Sequence, residues 1–407
     1  MSSRSIKRVV TCQGSIQLVT ALSVLEHHRK DEETASENYL VIYDLYAPEG
    51  QQEAFAQFVE GMARRLGDWV SIVYLTPQTL KAISDSLSST SPSKIFGTLY
   101  ELIGTETADE IYLCRNWQFS NQLLINAYRS AEKICYGDSI GIYFSQSSPA
   151  LFAAAPSESK ARSTTGFAKL LERGRFLGGV LRHQVLLGLQ LKTVLAEVPF
   201  DVGYLLLPTL MGESPPMSIV VPDSARLLTL FQQLTALVNS EYLSEFQQQI
   251  AGAPVSVLLT SNLSEAERMS QPDELEAYCQ FLNSSGIEPN SILVIKPHPR
   301  DSVKKLQALK QRCSELFHQV IVLSDPSLFF LPFEVFFLAA FLEPDLSCKH
   351  QVQVFAVSSA CLSLKLLFQV PSAIGFGEEI TTQVFYPHYV AGRLQHEQQL
   401  RSAVEQL

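Results

Sequence analysis

Recognition motifs for common cofactors and metals are missing from this 407-residue sequence. It contains no Cys-x-x-Cys pair, no His-Glu-x-x-His, no Walker A sequence and no Gly-x-Gly-x-x-Gly. Zinc clusters, zincin proteases, P-loop NTPases and dinucleotide-binding enzymes are therefore not indicated. No Asp-x-Asp pair occurs either. The sequence thus lacks a carboxylate pair of the kind that holds a metal against a nucleoside diphosphate.

Positive charge and long apolar segments are also scarce. Lys and Arg number 31 against 41 Asp and Glu, for a net charge of -10. This balance argues against a nucleic-acid partner, which would need a basic face. The most apolar run, residues 328–342, contains Pro332 and Glu334 and is too short to span a bilayer. Because no signal-peptide pattern precedes it, we expect a cytoplasmic protein that can touch the inner face of a membrane without crossing it.

Cysteine is infrequent, and its positions suggest no pairing scheme. The count of seven is odd, and several of these cysteines lie within apolar runs. Buried, reduced thiols in a reducing compartment are the simplest interpretation.

What the sequence does contain is an alternation of short apolar runs with longer amphipathic stretches. The strand-like runs are residues 8–11, 39–43, 70–75, 110–114, 133–136, 202–207, 255–260, 292–295, 320–323, 352–357 and 372–375. Helical patterns lie between them, including residues 16–29, 52–66, 224–250 and 301–317. Continuous apolar strands separated by helices indicate parallel sheets covered on both faces. The pattern predicts an α/β fold with two Rossmann-like, doubly wound domains, residues 1–245 and 246–407.

The strongest local signal is the sequence Lys296-Pro297-His298-Pro299-Arg300, directly after a strand-like run. Ligands of doubly wound sheets bind beyond the carboxyl ends of the strands. An imidazole at such an end, beside one lysine and one arginine, suits an anionic leaving group such as a phosphate. A histidine that merely closes a turn is the alternative.

Two serines, Ser358 and Ser359, follow the strand-like run 352–357 and precede the helical run 360–368. Free amides and hydroxyls at a helix N-terminus form a natural phosphate site. Simple capping of the helix by either serine is the alternative.

Two turns in the first half of the chain are further candidates. The sequence YGDSIG (residues 136–141) presents one carboxylate, Asp138, which is either a general base or a turn-forming residue. The sequence CQGSIQ (residues 12–17) joins the first strand to the first helix. There Gly14 permits close approach of a ligand to the backbone, and Ser15 and Gln17 are candidate contacts to a donor or an acceptor.

A basic island stands out in this acidic chain. From Lys160 to Arg182 the sequence has six basic residues and one acidic residue. Such a segment suits an anionic acceptor or lipid headgroups, and thus peripheral membrane contact. A solvated helix or loop is the alternative.

Taken in order, these motifs resemble those of the bacterial sialyltransferases, chiefly the polysialyltransferase-like family, and behind it the lipooligosaccharide sialyltransferases. Those families carry an acidic motif, then His-Pro, then Ser-Ser/Thr. The matching residues here are Asp138, His298-Pro299 and Ser358-Ser359. The turn at Gly14, the strand-like run ending at Thr260 and the element Pro332-x-Glu334 also look like family features.

The resemblance implies a GT-B fold, in which two Rossmann-like domains face each other across a cleft. It implies an inverting, metal-independent transfer of sialic acid, or a related nonulosonic acid, from a CMP-sugar donor to a glycan or glycolipid acceptor. Asp138 would be the general base, and His298 would assist departure of CMP. Ser358 and Ser359, with Lys296 and Arg300, would bind its phosphate. In the family the acidic motif often has two acids and ends in glycine, whereas Ser139 follows the single Asp138 here.

Two alternatives remain open. One is another cytidine-nucleotide transferase, acting on Kdo or glycerophosphate. The other is a non-catalytic homologue that binds a CMP-sugar, which the single acid of the turn motivates.

Overall fold

The structure is a computed structural model. It describes residues 5–29, 35–47, 50–87, 89–144, 195–196, 198–208, 214–287 and 290–407. The basic island from Lys160 to Arg182 lies outside these residues, so its membrane contact stays a prediction.

The first sheet has seven parallel strands in the order β3-β2-β1-β4-β5-β6-β7. The strands are β1 Ile6–Cys12, β2 Ser36–Tyr43, β3 Ser71–Leu75, β4 Glu110–Leu113, β5 Glu132–Cys135, β6 Val202–Tyr204 and β7 Ser218–Val220. The helices among them are α1 Ser15–His28, α2 Gln52–Leu66, α3 Pro77–Ser86, α4 Pro92–Ile103 and α5 Phe119–Ala127. The strand order reverses between β1 and β4, which opens a crevice at the carboxyl ends of these strands.

Burial on both faces explains why these apolar runs form parallel strands. Neighbouring residues of β1 point to opposite sides: Val9 belongs to one core cluster, and Val10 belongs to another. The same holds in β2 for Val41 and Ile42. A strand covered on both faces reads as a continuous apolar run without polar alternation.

Two helices, α6 Ser224–Leu234 and α7 Ser240–Ile250, connect the sheets, with a short 3-10 turn, Thr235–Leu237, between them. The prediction of one helix over residues 224–250 is therefore wrong. A new helix begins after Asn239, which is the N-cap of α7. Its side-chain oxygen accepts hydrogen bonds from the backbone N–H groups of Glu241 and Tyr242 at 3.1 and 3.3 Å. Helix α6 packs against α1 and against residues 333–341 of the second domain. The division at residue 245 falls inside α7 and stays a prediction.

The second sheet has five parallel strands in the order β10-β9-β8-β11-β12. The strands are β8 Val255–Leu259, β9 Ile292–Lys296, β10 Gln319–Val322, β11 Val352–Ala356 and β12 Ser372–Ile374. The helices are α8 Gln271–Ser284, α9 Val303–Cys313, α10 Phe333–Phe341, α11 Ala360–Phe368, α12 Glu378–Val384 and α13 Pro387–Gln406. Two doubly wound parallel sheets confirm the predicted α/β class.

Two other expectations concern the membrane and the thiols. Within the described ranges, no helix combines the length and the apolarity that crossing a bilayer requires. All seven cysteines are free, and five of them are buried. Burial raises the pKa of Cys12 and Cys361 to about 12, so these thiols are inert core side chains.

Candidate active site

A cleft of about 360 Å³ lies between the two domains at the carboxyl ends of their strands. Its volume falls within the range of small-molecule sites. Residues that follow β1, β5, β8, β9 and β11 all reach it. The lining includes Gly14, Ser15, Gln17, Asp138, Ser139, Thr260, Lys296, His298, Pro299, Glu334 and Ser358, together with the aromatic side chains Tyr46, Phe55, Phe329 and Phe333.

Asp138 enters the cleft on a tight turn after β5. Gly137 and Gly141 have φ angles of +75° and +95°, and Ser139 has a φ of +50°. The turn closes through two backbone hydrogen bonds of 2.8 Å between Asp138 and Ile142. Only glycine adopts such angles without strain, so the two glycines fix the direction in which Asp138 points.

The carboxylate of Asp138 has three partners in the first domain. Its Oδ1 accepts Gln17 Nε2 at 2.6 Å and the backbone N–H of Ser139 at 2.9 Å. Its Oδ2 forms an ion pair with the buried guanidinium of Arg115. Burial alone would lower the pKa of Arg115, but the charge of Asp138 raises it overall, so the guanidinium stays ionised. A carboxylate has about four acceptor positions, and these contacts leave one on Oδ2 for a substrate hydroxyl.

The same turn has the Gly-x-Ser-x-Gly spacing of hydrolase nucleophiles. A hydrolase presents that serine between a strand and a helix. Here an antiparallel bridge joins Asp138 to Ile142, and no helix begins in residues 139–144. The turn therefore supports a role for Asp138 and not a serine nucleophile.

His298 enters the cleft from the second domain on a turn that follows β9. Its backbone N–H lies 2.8 Å from both Thr260 Oγ1 and Asp301 Oδ2. Its carbonyl oxygen accepts the backbone N–H of Asp301 at 2.9 Å. The flanking prolines restrict the backbone angles on both sides, and the backbone of the turn is therefore held firmly.

The charge state of His298 follows from its surroundings. Burial, and then the positive charges of Lys296, Arg300 and Lys305, lower its pKa to about 3. Its Nδ1 accepts the backbone N–H of Arg300 at 3.1 Å. The neutral ring therefore carries its proton on Nε2. With a neutral ring, His298 offers the Nε2–H as a hydrogen-bond donor and has no imidazolium proton to transfer.

Two further groups complete the wall of the cleft that the second domain forms. The Lys296 ammonium and the Ser358 hydroxyl line the cleft, and neither has a hydrogen-bond partner among the described residues. Burial lowers the pKa of Lys296, and the negative charges of Glu334 and Asp301 partly offset this lowering. Burial raises the pKa of Glu334, whose carboxyl accepts a hydrogen bond from Ser363. An unpartnered cation and an unpartnered hydroxyl in the same cleft are suited to a phosphate.

Two candidates from the sequence lie away from this wall. Arg300 is exposed, and its guanidinium stacks over the ring of Tyr46 at 5.4 Å. Ser359 occupies the N-cap position of α11, but its side chain makes no capping hydrogen bond. Neither belongs to the cleft lining in the described part of the chain. Gln17 does line the cleft, yet its amide is occupied by Asp138 and by the backbone N–H of Gln13 at 2.7 Å.

Sequence reasoning missed the residues that support the site. Arg115 follows β4, so its position at the carboxyl end of a strand was the available signal. Asp301 adjoins the His298 motif, and Lys305 lies one helical turn further on. Nothing in the local sequence shows that Lys305 is fully buried.

The solved structures that are similar to this chain share little sequence identity with it. A protein assigned as a UDP-N-acetylglucosamine 2-epimerase from Listeria monocytogenes aligns with a TM-score of 0.50 and 12% identity, covering 98% of this chain and 91% of that chain. S. aureus MnaA with UDP aligns with a TM-score of 0.48 and 10% identity, covering 96% of this chain and 91% of that chain. E. coli heptosyltransferase WaaC aligns with a TM-score of 0.38 and 11% identity, covering 91% of this chain and 88% of that chain. The first likeness supports the GT-B fold alone.

Sequence comparison is more specific about family. No curated protein matches the chain. The family described as alpha-2,8-polysialyltransferase (POLYST) matches residues 9–340. That match includes both the Asp138 turn and the His298 turn, and it covers most of the chain. The chain is thus a GT-B glycosyltransferase that belongs to the alpha-2,8-polysialyltransferase family.

Proposed function

We propose that this glycosyltransferase transfers sialic acid, or a related nonulosonic acid, from a CMP-activated donor to a glycan hydroxyl. The reaction inverts the anomeric carbon and needs no metal. One observation carries the proposal: a single cleft is lined by the Asp138 carboxyl group of the first domain and by a lysine, a histidine and a serine hydroxyl of the second. The free thiols are consistent with a cytoplasmic setting.

The leaving group decides which side chains the second domain must supply. When the bond between the anomeric carbon and the phosphate oxygen breaks, its electron pair goes to the CMP phosphate. Lys296 provides a positive charge there, and His298 and Ser358 provide hydrogen-bond donors. Preorganised donors of this kind stabilise developing charge without reorganisation. A monophosphate carries less charge than a diphosphate, so these groups can serve in place of a metal ion.

The acceptor is activated from the opposite wall. Its hydroxyl oxygen attacks the anomeric carbon as the donor bond breaks, and its proton passes to the open acceptor position on Asp138 Oδ2. Since the two events occur on opposite faces of the sugar, a single displacement inverts the configuration. Arg115 and Gln17 hold the carboxylate in place for this step.

Transfer assays with the full chain, CMP-sialic acid and a glycan acceptor test the proposal. We expect Asp138→Asn to slow transfer by roughly 10²–10⁴-fold, as for loss of a general base. We expect His298→Ala to slow it by about 10²–10³-fold, as for loss of one donor to the transition state. Exposed counterparts, Asp345→Asn and His318→Ala, are the controls and should retain the wild-type rate. EDTA should have no effect.

The choice of donor separates the alternatives. CMP-sialic acid, CMP-Kdo and CDP-glycerol would be compared as donors under the same conditions. If the enzyme prefers CMP-Kdo or CDP-glycerol, the transferred group is Kdo or glycerophosphate and not sialic acid. Binding of CMP without turnover of any donor would show a non-catalytic homologue. Wild-type transfer rates in both Asp138→Asn and His298→Ala would contradict the catalytic roles proposed for these residues.

A further inference from the structure

A fully buried lysine lies behind the His298 turn. Lys305 of α9 donates from Nζ to the carboxylates of Glu274 and Asp301, each at 2.8 Å, and to Glu265 at 3.0 Å. It also donates to the carbonyl oxygen of Ser261 at 3.0 Å. Buried charges are costly unless they are paired, and here one cation serves three carboxylates.

Asp301 connects this cluster to the site. Its Oδ1 bonds to Lys305, whereas its Oδ2 accepts the backbone N–H of His298 at 2.8 Å. The Thr260 hydroxyl lies between Asp301 Oδ2 and the carbonyl oxygen of Lys296. Because the backbone N–H of Asp301 also donates to the carbonyl of His298, residues 298 and 301 are joined in both directions.

We propose that Asp301 is a positioning residue, which closes the turn so that Arg300 N–H meets His298 Nδ1 and the imidazole proton stays on Nε2. Lys305 balances the charge that Asp301 needs for this task. The effect of Asp301 on transfer rests on the function proposed above, whereas its effect on the imidazole tautomer does not. Glu274 shares the same lysine, but its second oxygen bonds to Ser264, away from the turn.

Asparagine at position 301 cannot accept hydrogen bonds from both Lys305 Nζ and the backbone N–H of His298 through separate oxygens, as Asp301 does. Its amide has one acceptor atom and one donor group, but Lys305 and His298 N–H both require an acceptor. Glu274→Gln is the matched control, since it weakens the pairing of Lys305 without touching the turn. Thr260→Val removes the hydroxyl from the turn, and Thr260→Ser retains it.

Nitrogen-15 NMR of the full chain, labelled at histidine, provides a readout independent of activity. The His298 signals are those lost in His298→Ala. We expect one tautomer, with bare Nδ1 and protonated Nε2, in the wild type, Glu274→Gln and Thr260→Ser. We expect a mixture of tautomers in Asp301→Asn and Thr260→Val. The charged groups that influence the pKa of the ring are Lys296, Arg300, Lys305 and Glu265.

Transfer rates provide the second readout. In Asp301→Asn we expect kcat to fall about 10–10²-fold through misplacement of the imidazole. Glu274→Gln should stay within about threefold of the wild type. A single tautomer in Asp301→Asn would overturn the inference, and so would an equal loss of kcat in Glu274→Gln. Should Asp301→Asn fail to fold, the two Thr260 variants decide alone. If the wild type transfers no sugar, the proposed function fails and the NMR result still tests Asp301.

Discussion

At the scale of single residues, the surroundings of His298 determine what it can do. Burial and three neighbouring cations lower the pKa of the ring to about 3 and keep it neutral, which favours a hydrogen bond to phosphate over full proton donation. A bound phosphate would bring negative charge and oppose this lowering of the pKa. In the proposed function Lys296 would serve two purposes, since it would attract the phosphate and its charge lowers the pKa of the imidazole.

Histidines with a lowered pKa also predict how stability depends on pH. Burial and neighbouring cations lower the pKa of both His298 and His396 to about 3, from a usual 6.5. Between these values the unfolded chain binds protons that the folded chain does not. The free energy of unfolding must therefore fall as the pH drops from 6.5 toward 3, by up to about 1.4 kcal/mol per unit for each histidine.

Urea unfolding at pH 7.5 and 5.5 measures this effect. Between pH 7.5 and 5.5 the free energy of unfolding should fall by about 1 kcal/mol less in His396→Leu than in the wild type, because one titrating group is gone. His318→Asn, which changes an exposed histidine, is the control and should behave as the wild type. An identical loss in all three proteins would contradict the assignment of His396 as a buried, neutral side chain.

The sequence identified the residues that carry their own local signal but not those that support them. His298 is flanked by prolines, and Asp138 lies between glycine and serine in a turn. Arg115 and Lys305, in contrast, contact partners that lie between 4 and 44 residues away along the chain. Most of these contacts exist only after the sheets have formed, so neither composition nor periodicity reveals them.

At the scale of elements, apolar runs predicted the strands because parallel strands are buried on both faces. The strand β7 was missed. It has only three residues, Ser218–Val220, it forms an edge of the sheet, and prolines flank it at positions 216 and 222. Proline is tolerated at such edges. The break between α6 and α7 was also missed, since both helices are amphipathic and the pattern continues across Asn239.

The turn before Asp138 offers a test of how an element positions a side chain. A Cβ at Gly137 would lie 2.8 Å from the backbone carbon of Gly141, and its φ of +75° disfavours other residues. Gly137→Ala should lower the free energy of unfolding by about 2 kcal/mol. It should also slow transfer by about 10–10²-fold, because Asp138 moves. Affinity for CMP should change little, since the proposed phosphate site belongs to the other domain.

A second glycine provides the control in the same domain. Gly61 lies inside α2 at an exposed position, and a Cβ there would meet no atom within 4 Å. Gly61→Ala should raise the free energy of unfolding by about 0.5–1 kcal/mol and leave transfer unchanged. Unfolding by urea and transfer assays check both variants. Equal transfer rates in the two variants would show that the turn does not position Asp138.

At the scale of the whole molecule, contacts between the domains hold the two walls of the cleft in place. Phe330 of the second domain stacks on Phe55 of the first with ring centroids 5.0 Å apart and planes at 13°. Helix α6 packs between α1 and α10. The proposed division of roles rests on this arrangement: the first domain would present the general base, and the second would present the groups that bind the leaving phosphate.

A crystal structure of the full chain with CMP tests this division most directly. The account predicts that phosphate oxygens lie at hydrogen-bond distance, about 2.7–3.2 Å, from His298 Nε2 and Ser358 Oγ, with Lys296 beside them and Asp138 across the cleft. A phosphate bound elsewhere, or a CMP that leaves His298 and Ser358 without contact, would contradict it.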